Sequence, residues 1–493
     1  MAHVRAKRRT SAALSPPVTS TRAPNTQTPF ADALLRVTSL GMSSLHALPV
    51  SGGRSIEDSE LRSKYRDIFG DAYLAADGSM SGAVLDSFFR PKSSLARAQR
   101  IAAEAFGADS TFFITGGTTL ANRVAIDAMA DFLTATGKAA PRVLADRTSH
   151  QSAHFCLDRA PLDISYCNQR FCCDRHGRTW ADVNDLVHRY REAAASGDHF
   201  DLVVLSGANY DGAMLDMRTL LTELLQHSES LNLIVDEAWS AINAFHPGLC
   251  ENTALAAARH VLAENPTKTI RLIVTHSAHK SMSAIRQGSY LHVSGDDELV
   301  QRVSMSLYRN HTTSPSLPIL ASLDLARAQA ELEGADLLDR SLACAQRLGL
   351  LVNEHPEYSG FSVEESPGHD DPWIVPDRTK VLLTVDPSIS DACELRLRLA
   401  RDYGLYVARV VDHAILINLH IGVTEEIFQR FLAALLEIST SGVVGPPSAG
   451  TDTGFLVAYP PGIPLRVPGQ KAGSEEERRL TEIHKNNAEL FQA

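Results

Sequence analysis

The sequence predicts an α/β protein with a large sheet domain and a smaller α+β domain at its C-terminal end. Between residues 111 and 280, short apolar segments such as TFFIT, DLVVLSG and RLIVT alternate with stretches of helical periodicity. Strands separated by helices in this way favour a parallel or mixed sheet covered on both faces. Later, the strand-like segments KVLLTV, GLYVARVV and AILINLHI alternate with two helical ones. The 493-residue chain is long enough for both domains.

The chain divides into four parts by composition. Residues 1–28 are basic, rich in Ser, Thr and Pro and without the apolar core of a secretory signal, which predicts a disordered tail. An organelle transit peptide is the alternative for that tail. Residues 29–110 form an N-terminal segment with a helix that ends before Gly107. Residues 111–335 are the predicted large domain, and residues 336–493 are the small domain and tail, with a charged helix from about Ser474.

Composition and charge exclude several classes of protein. The net charge of -11 argues against nucleic acid as the main partner, since phosphate binding needs a basic face. No window approaches 18 consecutive apolar residues, so no membrane span is predicted. The seven cysteines are an odd number scattered along the chain, which favours reduced thiols and a cytoplasmic protein.

A cluster of cysteines raises the question of a metal site. Cys167, Cys172, Cys173 and His176 lie close together in CNQRFCCDRH. Their spacing matches no usual zinc pattern, so no metal is predicted.

Polar residues follow the predicted strands, where ligands of α/β sheets bind. Gly117, Thr118 and Thr119 stand between a strand and a helix whose first N–H groups can hold a phosphate. An ordinary glycine turn with a threonine cap explains them equally well. Asp236 ends an apolar strand, where it can pair with a protonated ring nitrogen or cap the next helix. His150 is either a ring for stacking or a surface loop histidine.

Lys280 follows the apolar segment RLIVTHSAH, where a charged ammonium is costly unless it is paired or neutralised. Taken alone, such a lysine is more often an ion-pair partner than a reactive amine. A phosphate-binding turn, a stacking histidine, a strand-end aspartate and a lysine in this order are what pyridoxal phosphate requires. The combination predicts that Lys280 forms a Schiff base with this cofactor.

Several segments carry a family resemblance, among them EAFGADSTFFITGGTTLANR, LADRTSHQSAHF, IVDEAWSAINAFHP, THSAHK and YPPGIPLRVPG. Their order and spacing resemble the pyridoxal-phosphate-dependent ornithine/lysine/arginine decarboxylases of fold type I, in the short form without an N-terminal wing domain. The resemblance runs from about Leu45 to Gly469. It implies an aspartate aminotransferase-like large domain and decarboxylation of a basic amino acid (ornithine, lysine, arginine or a relative) to its amine.

The resemblance also implies roles for individual residues. Lys280, His279, His150 and Asp236 would be catalytic. The implied cofactor contacts are Gly117, Thr118, Thr119, His150, Asp236, Ala238, Trp239, His276, Ser277, Lys280 and Thr313. In the family, the segment that matches Thr313 comes from a neighbouring subunit, which implies a homodimer or a larger homo-oligomer with a shared active site.

Other functions stay open from the residues. The same cofactor supports transamination, oxidative deamination or elimination, because a fold does not determine which bond breaks. A regulator that only keeps the fold is disfavoured by the intact Lys280 and Asp236. The segments HALPVSGGR, FRPKSS and VDPSIS differ from the usual family segments, which points to a different substrate entrance.

Overall fold

The computed structural model describes residues 23–80, 82, 84–171, 178–364, 366–368, 371–411 and 413–441, with two short strands at 457–458 and 463–464. Residues 1–22 of the predicted tail, the cluster residues Cys172, Cys173 and His176, and the charged helix predicted from Ser474 lie outside these ranges.

The α-helices of the described residues are distributed from residue 29 to residue 441. They are α1 (Pro29–Ser39), α2 (Arg62–Ala76), α3 (Ser94–Phe106), α4 (Gly117–Thr134), α5 (Gln151–Arg159), α6 (Val183–Ser196), α7 (Met217–Gln226), α8 (Ala254–Glu264), α9 (Ala278–Ser281), α10 (Asp297–Asn310), α11 (Leu317–Glu354), α12 (Ala392–Tyr403) and α13 (Glu425–Ser441). Short 3-10 helices span Ser51–Ile56, Ala241–Phe245, Cys250–Asn252 and Pro356–Tyr358. The predicted helix before Gly107 is α3, and Gly107 ends it in the left-handed conformation at φ 75°.

The strands are mostly short. They are β1 (Ser110–Ile114), β2 (Arg142–Asp146), β3 (Asp163–Cys167), β4 (Gln169–Phe171), β5 (Thr179–Ala181), β6 (Leu202–Ser206), β7 (Ala213–Leu215), β8 (Ser230–Asp236), β9 (Thr269–His276), β10 (Ser289–Ser294), β11 (Phe361–Val363), β12 (Ile374–Pro376), β13 (Lys380–Val385), β14 (Arg409–Val411), β15 (Ala414–Asn418), β16 (Val457–Ala458) and β17 (Ile463–Pro464).

Seven strands form the main sheet, in the order β1-β10-β9-β8-β6-β2-β3. The strands from β9 to β3 are parallel, and β10 lies antiparallel between β9 and β1. Because β8 and β9 are rich in Leu, Ile and Val that are buried, the centre of the sheet is covered on both faces. This arrangement confirms the predicted α/β class with a mostly parallel sheet.

A second sheet is antiparallel, with four strands in the order β11-β13-β15-β14. Its apolar face packs with α12 and α13 into a separate core cluster that includes Leu348 of α11. Leu338, ten residues earlier on the same helix, belongs to the core of the main sheet. Since α11 serves both cores, the predicted boundary between residues 335 and 336 falls inside a continuous helix, and it stays a prediction.

Strand pairing and a buried ion pair are among the contacts that join the later part of the chain to the main sheet domain. Strand β12 pairs with β7, with Val375 opposite Met214. The guanidinium of Arg409 on β14 pairs with the Asp211 carboxylate, and both side chains are buried. Asp211 lies in the loop after β6, so this ion pair holds that loop in place.

We expect Arg409→Met to lower the free energy of unfolding by about 3–5 kcal/mol, since it leaves the Asp211 carboxylate buried without its cation. The double variant Asp211→Asn/Arg409→Met should recover part of this loss. Urea unfolding measures both. Arg302→Met, which breaks the exposed pair with Glu298, is the control and should cost less than about 1 kcal/mol. Equal losses for Arg409→Met and Arg302→Met would contradict the prediction.

Candidate active site

A cavity of about 600 Å³ lies at the carboxyl ends of the parallel strands. Residues that directly follow these strands line the cavity, as expected for a ligand site of an α/β sheet. Ten of the predicted site residues line it: Gly117, Thr118, Thr119, His150, Asp236, Ala238, Trp239, Ser277, His279 and Lys280.

One end of the cavity is built from the start of α4. The N-cap residue of this 18-residue helix is Gly116, so the helix start has no side-chain cap. The Gly117 N–H is bonded to the Gln287 carbonyl at 2.9 Å, and the following N–H groups of the first turn point out of the helix start. Gly117 has φ 70°, and a Cβ placed on it would meet no atom within 4 Å, which leaves space in front of the helix start. The Thr118 hydroxyl bonds the hydroxyls of Ser277 and Ser289, the latter at 3.0 Å. Helix dipole, open space and hydroxyls together suit an anion such as a phosphate.

The carboxylate of Asp236 lies deeper in the cavity and is held on both oxygens. Oδ1 accepts from the backbone N–H of Ala238 at 2.9 Å, and Oδ2 accepts from Nδ2 of Asn122 at 2.8 Å. Asn122 also accepts a hydrogen bond at Oδ1 from the Thr275 hydroxyl at 2.7 Å. The amide of Asn122 therefore fixes the orientation of the Asp236 carboxylate relative to β9.

His150 begins α5 and is oriented by the same network. Its Nδ1 accepts from the backbone N–H of Ser152 at 3.2 Å and lies 2.8 Å from the Ser152 hydroxyl. The Ser152 oxygen in turn accepts from Nδ2 of Asn122 at 3.0 Å, so the hydroxyl proton points to Nδ1. Burial lowers the pKa of His150 to about 4, against an opposing effect of Asp236. The ring is thus neutral near pH 7 and carries its proton on Nε2.

Lys280 reaches the cavity from the short helix α9. Its Nζ lies 4.2 Å from the centroid of the Trp239 ring, a cation–π distance. Burial lowers the pKa of Lys280 to about 8, while Asp236 opposes this effect and Lys380 adds to it. A sizeable fraction of the amine is therefore neutral, and nucleophilic, close to neutral pH.

His279 stands directly before Lys280. Its Nδ1 is 3.0 Å from the carbonyl oxygen of Gly288, and since a carbonyl only accepts, Nδ1 carries a proton. Burial lowers the pKa of His279 from its ordinary value. The neutral ring then has Nε2 as its free proton acceptor.

Two predicted residues lie elsewhere. His276 is buried behind the sheet edge, where Nε2 is 3.0 Å from Glu237 and Nδ1 is 3.1 Å from His292. It does not line the cavity, because successive strand residues face opposite sides and Thr275 faces Asn122 instead. Thr313 lines another cavity, which shares only Gln287 with the first.

Several lining or supporting residues were missed by sequence reasoning. Asn122 is buried one helical turn after Thr118, so the helical spacing of α4 was a usable signal. Gln287 adopts a left-handed conformation at φ 74° and accepts from the Gly117 N–H at 2.9 Å. Tyr210 packs edge-on against Trp239, with ring centroids 4.8 Å apart. Gln287 and Tyr210 have no local sequence signal.

The sheet order, the open start of α4, the strand-end carboxylate and the cavity lysine define a protein of the fold type I class. The sequence profile of the Orn/Lys/Arg decarboxylase major domain matches residues 28–366. The chain belongs to this family of amino-acid decarboxylases, as the sequence motifs predicted.

Individual relatives are distant. The uncharacterized protein YaaO of Bacillus subtilis is 24% identical over 441 residues, which cover 81% of this chain and 84% of YaaO. An arginine decarboxylase of Bacillus anthracis is 25% identical, with coverage of 83% and 84%. The lysine decarboxylase LdcA of Pseudomonas aeruginosa is 29% identical over 313 residues, which cover 62% of this chain and 40% of LdcA.

Solved structures agree on the fold. The lysine decarboxylase LdcF of Francisella novicida superposes with a TM-score of 0.69 at 19% identity, covering 83% of this chain and 59% of LdcF. The LdcA structure gives a TM-score of 0.69 at 23% identity, covering 84% of this chain and 60% of LdcA. This chain thus spans about three fifths of these solved chains. None of the described helices has the length and apolarity to cross a bilayer.

We expect Asn122→Ala to remove the hydrogen-bond partner of Asp236 Oδ2 and of the Thr275 hydroxyl, at a cost of about 1–3 kcal/mol per group, while Asp236 Oδ1 keeps its bond from the Ala238 N–H. Urea unfolding measures the loss. Asn353→Ala, at an exposed asparagine that bonds Val363, is the matched control and should cost clearly less. A change at Asn122 no larger than at Asn353 would mean that the network is not energetically important.

Acylation of Lys280 in protein stripped of small molecules should follow a titration with a midpoint near pH 8, because burial lowers the pKa of this amine to about 8. Asp236→Asn should move the midpoint to lower pH, since the Asp236 carboxylate favours the charged amine. Pulsed acylation with peptide mass spectrometry measures both. A midpoint close to the ordinary lysine value of 10.5 would refute the assignment.

Proposed function

We propose that the chain is a pyridoxal-phosphate-dependent decarboxylase of a basic amino acid, with Lys280 as the lysine that anchors the cofactor. The observation that carries this proposal is the meeting of Lys280, Asp236, His150 and the open start of α4 in one cavity. Relatives named arginine, lysine and ornithine decarboxylases support the substrate class.

The described residues fit the cofactor at each of its ends. The first turn of α4, with the hydroxyls of Thr118, Thr119 and Ser277, would hold the phosphate. The Asp236 carboxylate would accept from the protonated pyridine nitrogen, and its charge would keep that proton in place. The neutral ring of His150 would stack on one face, and Ala238 is small enough to lie against the other.

When bound, pyridoxal phosphate accepts the electron pair of the bond that breaks between the α-carbon and the carboxylate. The cavity walls orient that bond, and the fixed Asp236 carboxylate supplies the matching charge without reorganisation. A proton must then reach the α-carbon. The Lys280 Nζ lines the cavity and could deliver it, and His279 could do so after taking up a proton at Nε2, which is unprotonated in the neutral ring.

We also propose that two copies of the chain share the active site. Thr313 is exposed in a cavity of its own chain that reaches the Lys280 cavity only through Gln287. A second copy that places its Thr313 at the mouth of the first cavity would reproduce the arrangement that the family resemblance implies, in which this segment comes from a neighbouring subunit.

We expect purified protein to contain pyridoxal phosphate and to release carbon dioxide and the matching amine from ornithine, lysine or arginine. A panel assay of carbon dioxide, amine, ammonia and peroxide measures the reaction. Carbon dioxide without the amine, or ammonia as the main product, would refute simple decarboxylation.

Lys280→Ala should lose activity by several orders of magnitude, because the anchoring amine is removed. Borohydride reduction followed by peptide mapping should find the cofactor on the Lys280 peptide of the natural chain alone. Lys268→Ala, at a lysine on the opposite end of β9, is the control and should keep full cofactor content. Cofactor on another lysine would show that the anchor is misassigned.

A further inference from the structure

A second cavity, of about 310 Å³, adjoins the first and shares Trp239 and Lys280 with it. Its walls are largely apolar, with contributions from Met214, Ile242, Leu249, Leu338 and Leu342. The segment from residue 375 to 380 closes the cavity and brings Lys380 into its lining. Any molecule joined at Lys280 therefore has access to two compartments of different chemistry.

Lys380 is a buried cation at this boundary. Its Nζ donates to Asp377 Oδ2 at 3.0 Å and to Thr379 Oγ1 at 3.2 Å. An ammonium has three N–H groups, so these bonds leave one donor for a ligand within the described part of the chain. The same Nζ lies 5.6 Å from the centroid of the Trp239 ring, over which Lys280 lies at 4.2 Å. Two ammonium groups thus border one aromatic ring.

The turn that carries Lys380 is attached to the main sheet domain. The Asp377 N–H donates to the Gly212 carbonyl at 2.8 Å, directly beside the paired strands β7 and β12. Gly212 has φ 91°, and a Cβ placed there would come within 2.9 Å of the Lys380 Cβ. The close approach and the strand pairing fix Lys380 relative to the loop that lines the first cavity.

We propose that Lys380 binds the α-carboxylate of the substrate. This inference rests on the proposed function, in which the substrate amine takes the place of Lys280. In an α-amino acid one carbon separates amine and carboxylate, so the carboxylate must lie within a few ångströms of the Lys280 position. Lys380 is the buried cation that borders this position, whereas Arg286 on the first cavity and Arg378 on the second are exposed.

The binding of two reduced adducts to the full-length protein without cofactor tests this role. The probes are phosphopyridoxyl-L-ornithine and phosphopyridoxyl-putrescine, which differ only in the α-carboxylate, and calorimetry gives each dissociation constant. The natural chain should prefer the carboxylated probe. Lys380→Gln should weaken that probe roughly 10- to 100-fold, the value of a charge-assisted hydrogen bond, and leave the putrescine probe unchanged.

Three further variants sharpen the result. Lys380→Arg keeps the charge and should restore most of the preference, and Arg378→Gln should leave it intact. An equal loss for both probes in Lys380→Gln, or loss of the preference in Arg286→Gln instead, would overturn the assignment. If the natural chain binds neither probe, the proposed function itself fails and this inference with it. Tight binding of the putrescine probe alone would overturn the carboxylate role while keeping the cofactor site.

Discussion

The site depends on one costly feature, a carboxylate buried at the end of an apolar strand. A charge in this position is tolerated only when its oxygens are hydrogen-bonded. Asp236 meets this condition through the Ala238 N–H and the Asn122 amide. Asn122 belongs to α4 and also contacts Thr275 and Ser152. The hydrogen bonds that stabilise this one carboxylate therefore connect the strands β8 and β9 with the helices α4 and α5.

The same network determines which groups are charged. The hydrogen bonds to His150 place its proton on Nε2 and, together with burial, keep the ring neutral. Lys280 is left with two opposing neighbours, since Asp236 favours its charged form and Lys380 disfavours it. A neutral stacking ring, a fixed anion and an amine that loses its proton easily result from the packing of residues distant in sequence.

Much of the fold follows from local pattern. The strands β1, β6, β8 and β9 and the helices α3 and α4 were predicted because apolar periodicity is local, and the strand-end rule then placed Asp236 and Lys280 at one edge. His276 was assigned to the cofactor only through the family resemblance, and it does not line the cavity because strand alternation turns its ring toward Glu237. Lys380 had no local signal, since its position depends on the pairing of β12 with β7, about 160 residues away in sequence.

The pairing of β7 with β12 also constrains how the molecule can exchange reactant for product. A hinge within α11 that swung the two cores apart as rigid bodies would have to break this ladder and separate the Asp377 N–H from the Gly212 carbonyl. Any exchange of bound molecules that keeps this ladder intact must therefore leave the two cores in contact with each other.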